Sequence, residues 1–115
     1  MDTTAFSIYT FGIYEIMAGL GFLIFPNLIL AFLKMEKTTE SWIRIVGILA
    51  IIIGYYHFMI GRLSIHELYW PTIYARMLFI LLLVVLVLAK KAPRKIILFG
   101  VASWLSIIWT YSTLV

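Results

Sequence analysis

The feature that most constrains this chain is the length of its apolar runs. Four segments, about 4–25, 42–60, 72–89 and 96–115, each string together some 20 residues with few charges, about the length a helix needs to cross the hydrocarbon core of a bilayer. In that medium an unsatisfied backbone N–H or C=O costs several kcal/mol. Each run must therefore satisfy its own backbone as a helix. Apolar residues make up 64% of the sequence and charged residues 12%, too little polar surface to cover a soluble domain of this size. The expected fold class is all-α: a polytopic transmembrane four-helix bundle, with residues 1–115 as a single transmembrane domain.

Punctuation between the runs supplies the loops. Pro26-Asn27 breaks the first helix, since proline cannot continue the backbone ladder and restrains the residue before it. The following LILAFLKM reads as a short interfacial turn or a kinked extension to residue 33. KMEKTTES, residues 34–41, is the first loop, with Thr39 or Ser41 as the cap of the next helix. GRLSIHELYWP is the second loop, its aromatic and charged mixture suited to the headgroup region and its end marked by Pro71. KKAPRK, residues 90–95, is the third. The N-terminus carries Asp2 where a secretory signal would be basic, and no small-residue cleavage site follows, so the first helix is expected to persist.

The net charge of +4 reads as a topology signal and not as a nucleic-acid footprint. Lys34, Lys37, Lys90, Lys91, Arg94 and Lys95 lie in loops one and three, with Arg44 just inside the second helix, whereas the opposite side offers Arg62 with Arg76 nearby. The positive-inside rule makes loops 34–41 and 90–95 cytoplasmic and both termini external, in a multi-pass protein of the cell membrane. With no cysteine, disulfides, thiolate metal sites, CxxCH haem attachment and thiol catalysis are excluded. No nucleophile elbow, phosphate loop, zincin motif or paired catalytic carboxylate is present. Ser103 and Ser106 have no recognisable base, so no catalytic residue is assigned.

The informative residues are the polar ones inside the runs, because an ionisable group in hydrocarbon must be paired or hydrated. Glu15 sits near the middle of the first helix, with Gly12 and Gly19 on the same face, where a neighbouring helix can approach closely. Gly47, Gly54 and Gly61 repeat every seven residues on the second helix, with His57 on the same stripe and Tyr55 and Tyr56 beside it. The third helix contributes Arg76, with Tyr74 close by. Gly100, Ser103, Ser106, Thr110 and Thr113 give the fourth a small, hydroxyl-bearing face suited to packing.

Two readings follow for Glu15, His57 and Arg76. In one, Glu15 pairs with Arg76 or His57 to lock the helices in register, and tyrosine hydroxyls satisfy what remains. In the other the three form a polar pocket, open toward the outer leaflet, that binds a ligand or exchanges protons. His57 also suits an axial haem ligand, with His66 or another subunit supplying the second. A single interior histidine is too few ligands for a zinc site.

The segments GLGFLIFP, ESWIRIVGILAIIIGYYHFMIGR and SWLSIIWTYSTL resemble small four-helix bacterial membrane proteins of unassigned activity, distantly similar to the DoxX-like proteins. The shared features are the proline after helix one, the Trp42-x-Arg44 entry to helix two and the Trp109-Thr110 pair in helix four. The resemblance implies architecture and brings no catalytic residues. The function expected is binding or transport of a small lipophilic or ionic ligand, with proton linkage through Glu15. The alternative is an accessory subunit of a larger membrane complex. Membrane lipids are expected partners, as is a second copy or another membrane protein, since four helices make too thin a wall for a transport pathway.

Overall fold

The first helix, α1 (Thr3–Ile24), begins at Asp2, whose carboxylate accepts the Ala5 N–H at 2.7 Å and so satisfies one of the otherwise unpaired donors of the first turn. The computed structural model from which this geometry is drawn describes residues 2–37 and 41–115. Thr39, one of the two caps expected for the next long helix, lies outside the described residues.

Pro26 does break α1, but the segment after it is neither a turn nor a kinked extension. It forms a separate helix, α2 (Pro26–Phe32), with Pro26 in its first turn, where its missing N–H would have had no intrahelical partner anyway. Leu30 and Leu33 are almost wholly buried, so α2 is anchored to the bundle. It ends at Lys34 in the left-handed region (φ 58°), with Met35 N–H donating to Leu30 O at 2.8 Å, a Schellman-type closure.

The second run is α3 (Trp42–Leu63). Ser41 stands at its cap position but makes no side-chain cap bond. Its carbonyl instead accepts the N–H groups of Arg44 and Ile45. Gly61, Arg62 and Leu63, read from sequence as loop, continue the helix until Ser64 turns left-handed (φ 51°). A 3-10 turn (His66–Leu68) leads into α4 (Tyr69–Leu88), so Trp70 and Pro71 also belong to a helix and not to the loop. Pro71 fits there because the first-turn N–H groups have no acceptor within the helix. After Lys90 (φ 60°) and a second 3-10 turn (Arg94–Ile96), α5 (Ile97–Leu114) completes the chain. The architecture is all-α, and α1, α3, α4 and α5 are each long and apolar enough to cross a membrane. The chain is a multi-pass membrane protein, with α2 as an added short helix.

The helices do not surround a common axis evenly. The most extensive contact is between α1 and α3, α5 packs on both α1 and α4, and α3 and α4, although consecutive, barely touch. Glycines set the α1–α3 seam. A Cβ on Gly12 would lie 2.5 Å from Phe58 N and 2.6 Å from Gly54 O, one on Gly19 would lie 2.6 Å from Gly47 O, and one on Gly61 would lie 2.5 Å from Ala5 O. The two backbones are therefore in direct contact along an antiparallel seam, the small-residue packing that replaces the hydrophobic effect between helices in lipid. Arg44 closes its lower end by donating to Leu23 O, one of the last carbonyls of α1 without a helical partner.

Gly100 is different. It is buried on α5, but a Cβ there would meet only Leu83 Cδ1 at 3.6 Å, an ordinary contact. The packing role read for it from sequence therefore does not require glycine. Gly12→Ala and Gly54→Ala are expected to cost about 1–3 kcal/mol each through overpacking, while Gly100→Ala is close to neutral. Unfolding in detergent micelles measures both, and equal tolerance at all three positions would contradict the seam.

Candidate functional site

The gap between α3 and α4 is a cavity of about 460 Å³. Its walls are Phe11, Tyr14, Glu15, Ala18 and Phe22 of α1, five residues of α3 including Ala50 and His57, Ala75, Arg76, Phe79 and Leu83 of α4, and Phe99 and Ser103 of α5, with Ile96 just before. The volume falls within the range of small-molecule sites, and an apolar wall with a few convergent polar groups is their usual composition.

The three ionisable residues predicted to converge all line this cavity, and of the two pairings expected for Glu15 it is the one with His57 that forms. Glu15 Oε1 and His57 Nδ1 are 2.5 Å apart. Both atoms are buried, and neither has a hydrogen-bond partner elsewhere. The imidazole and the Phe11 ring meet edge to face, ring centroids 5.4 Å apart. Gly54 makes this pair possible: a Cβ on it would lie 2.9 Å from Glu15 Cβ, so a larger residue would displace the carboxylate that His57, one turn further along α3, must meet.

Arg76 does not join Glu15. Its Nε donates to Thr72 O at 3.1 Å, Nη1 to Ser106 Oγ at 3.0 Å and Thr110 Oγ1 at 3.3 Å, and Nη2 to Thr72 Oγ1 at 3.1 Å and Thr110 Oγ1 at 3.3 Å. The face of the Phe11 ring lies 5.0 Å from the guanidinium carbon, a cation–π distance. Five bonds answer the five N–H donors of a guanidinium, all from neutral oxygens. The local sequence explains why these oxygens are free to accept. Thr72 and Ser106 donate their own protons to the carbonyls of Tyr69 and Ser103 three residues back, at 2.7 Å each, which leaves their lone pairs facing Arg76. Ser7 donates likewise to Thr4 O, so its 2.7 Å contact with Thr110 has Thr110 as the donor. Thr110 thus links Arg76 on α4 to Ser7 on α1.

The remaining expectations fall as follows. Tyr55, Tyr56 and Tyr74 are more than half exposed and line no part of the cavity. They sit on the outward faces of α3 and α4, so they do not satisfy Glu15 or His57. Tyr14, which sequence reasoning passed over, does line the cavity. It lies on the face shared by Phe11, Glu15, Ala18 and Phe22 at helical spacing, a signal available around Glu15. The pocket was expected to open toward the end that carries the termini. That end is filled instead by Ala5, Ile8 and Tyr69, with Ile60 and Leu114 packed against them, and by the buried hydroxyls of Thr4, Ser7 and Thr110. The cavity runs the other way, toward Phe22, Ile96 and Phe99. A smaller apolar cavity of about 390 Å³ beside α2 shares Ala18, Phe22 and Phe99 with it and reaches Phe32. His66 lies exposed in the turn between α3 and α4, its ring 4.9 Å from that of Tyr69, and does not face the cavity with His57. The histidine pair considered for haem is therefore not assembled within this chain.

Comparison with known proteins adds nothing to this geometry. No protein family matches the chain, and no curated protein or solved structure does.

Because Glu15 Oε1 and His57 Nδ1 have no hydrogen-bond partner besides each other, the contributions of the two residues to stability should not add. A double-mutant cycle of Glu15→Gln and His57→Gln in detergent micelles is expected to give a coupling of about 1–2 kcal/mol. Additive costs would mean that the contact carries no energy.

Proposed function

We propose that this protein binds, and in an oligomer transports, a small lipophilic ligand in the cavity between α3 and α4, with the ligand's polar end at Glu15 and His57. The observation that carries the reading is an acid and an imidazole whose facing atoms, Glu15 Oε1 and His57 Nδ1, are buried and have no other hydrogen-bond partner, on the wall of an otherwise apolar cavity. A pair serving only to lock helices has no need of that space, since packing in protein interiors eliminates voids. The gap between consecutive helices with almost no mutual contact gives a ligand dissolved in lipid a sideways route that does not pass through the packed end.

A specific observation favours the structural reading for Arg76 alone. Its donors are fully answered by hydroxyls and a carbonyl of α4 and α5, the arrangement expected of a packing lock. Whether the whole chain is an accessory subunit is decided by filling the space. Ala50→Phe projects a ring into the cavity and is expected to weaken binding of a photoactivatable lipophilic probe about tenfold or more, with the thermal midpoint little changed. Leu82→Phe, on the exposed face of α4, serves as the control. Unchanged labelling of Ala50→Phe would remove the ligand site and leave the accessory-subunit reading.

The same reading places the protein in the cell membrane with both termini outside, because Lys34, Lys37, Lys90, Lys91, Arg94 and Lys95 follow or precede helix ends that share one side of the antiparallel bundle. The absence of cysteine makes the test direct. In intact cells a membrane-impermeant maleimide should label Glu67→Cys and not Lys91→Cys. The reverse pattern would invert the topology.

A further inference from the structure

Charge balance inside the bilayer specifies the ligand more narrowly. An arginine does not give up its proton in proteins, so Arg76 is a fixed positive charge on the cavity wall, and its hydrogen-bond partners are all neutral. Glu15 is the acidic residue on that wall, and α1 adds the phenol of Tyr14. From α3 the titratable group is His57 and from α4 it is Arg76, while α5 presents Ser103 and none that titrates. In an apolar medium the least costly empty state has no net charge: Arg76 positive, Glu15 negative, and His57 neutral with its Nδ1 proton directed to Glu15 Oε1. That tautomer leaves Nε2 as an unprotonated nitrogen for the ligand.

We infer that the cavity takes a single-chain amphiphile with a monoanionic head, and that His57 takes up one proton as the anion enters. With the anion present, neutrality is restored when Nε2 binds a proton. The imidazolium then lies between two anions, donating from Nδ1 to Glu15 and from Nε2 to the ligand head, with Arg76 supplying further positive potential. No bond other than these hydrogen bonds is made or broken, and the proton comes from bulk water. The chain of such a ligand has an apolar place to lie along Ala18, Phe22 and Phe99, which also border the second apolar cavity beside α2. A cationic head would add to the charge of Arg76, and a diacyl lipid would need a second apolar arm of this depth. This inference rests on the ligand-site reading above and goes further by fixing the charge of the head and the accompanying proton.

The test uses the full chain in nanodiscs of zwitterionic lipid and three probes of equal chain length: tetradecanesulfonate, tetradecanoate labelled with a carbon isotope at its carboxyl, and tetradecanol. Sulfonate stays ionised throughout, so any proton taken up on its binding belongs to the protein. At mildly alkaline pH the expected result is uptake of about one proton per sulfonate bound, read by a pH indicator dye. Tetradecanoate should show the infrared band of an ionised carboxylate, and His57→Gln should bind sulfonate without uptake. Sulfonate binding without proton uptake by the unaltered protein, or uptake that persists in His57→Gln, would overturn the inference. So would a bound tetradecanoate in the protonated form, or sulfonate binding no better than tetradecanol. If none of the three probes, the alcohol included, competes with the photoactivatable label, it is the ligand-site reading itself that fails.

Discussion

Everything in this bundle is arranged around the contact of two backbones. In lipid there is no hydrophobic effect to press one helix on another, and close packing of small residues takes its place. Gly12, Gly19, Gly47, Gly54 and Gly61 bring α1 and α3 together until carbonyl oxygens fill the positions where Cβ atoms would be. The seam fixes the depth of Glu15 against His57. It also commits the inner face of α3 to α1, so that α3 has little left with which to meet α4. The cavity thus lies where the tightest contact in the molecule holds α3 away from α4.

At the end that carries the termini a second kind of adhesion takes over. Thr4 meets Thr113 and Ser7 meets Thr110, both at 2.7 Å, and Thr110 accepts from Arg76. Hydrogen bonds between membrane helices contribute only about 0.6 kcal/mol each on average. Their importance here is directional: each hydroxyl discharges its proton to one acceptor and presents lone pairs to a neighbour. Asp2 continues the series, capping α1 while lying 3.4 Å from the Tyr69 hydroxyl of α4. One end of the bundle is closed by polar contacts as a result, and the apolar-lined space lies toward the other.

Much of this could be read from sequence, and the limits have physical causes. Apolar run length alone yields four spanning helices, because lipid permits no other backbone solution. The glycine stripes point to where helices approach, and the positions of Glu15, His57 and Arg76 mark a common polar region. What periodicity does not carry is which partner each charge selects. Glu15 to Arg76 and Glu15 to His57 are equally good pairings on paper, and the choice depends on the α1–α3 seam and on three hydroxyls spread over two helices. The ends of α3 and α4 were misjudged for a related reason. Gly61, Trp70 and Pro71 resemble loop residues by composition, yet Gly61 is needed for contact with Ala5 and Tyr9, and proline in a first turn costs nothing.

The hydroxyl shell of Arg76 bears on how the protein enters the membrane. One of its oxygen-bearing side chains, Thr72, travels on α4 with the arginine, but Ser106 and Thr110 lie on α5, which is synthesised afterward. Until α5 is present, α4 carries a guanidinium with less than its full complement of acceptors, and inserting arginine near a helix centre costs about 2.5–3.5 kcal/mol on translocon scales. α4 and α5 are thereby made interdependent during biogenesis: the pair is best delivered to lipid as one hairpin, and α4 owes its settled depth to the helix that follows it.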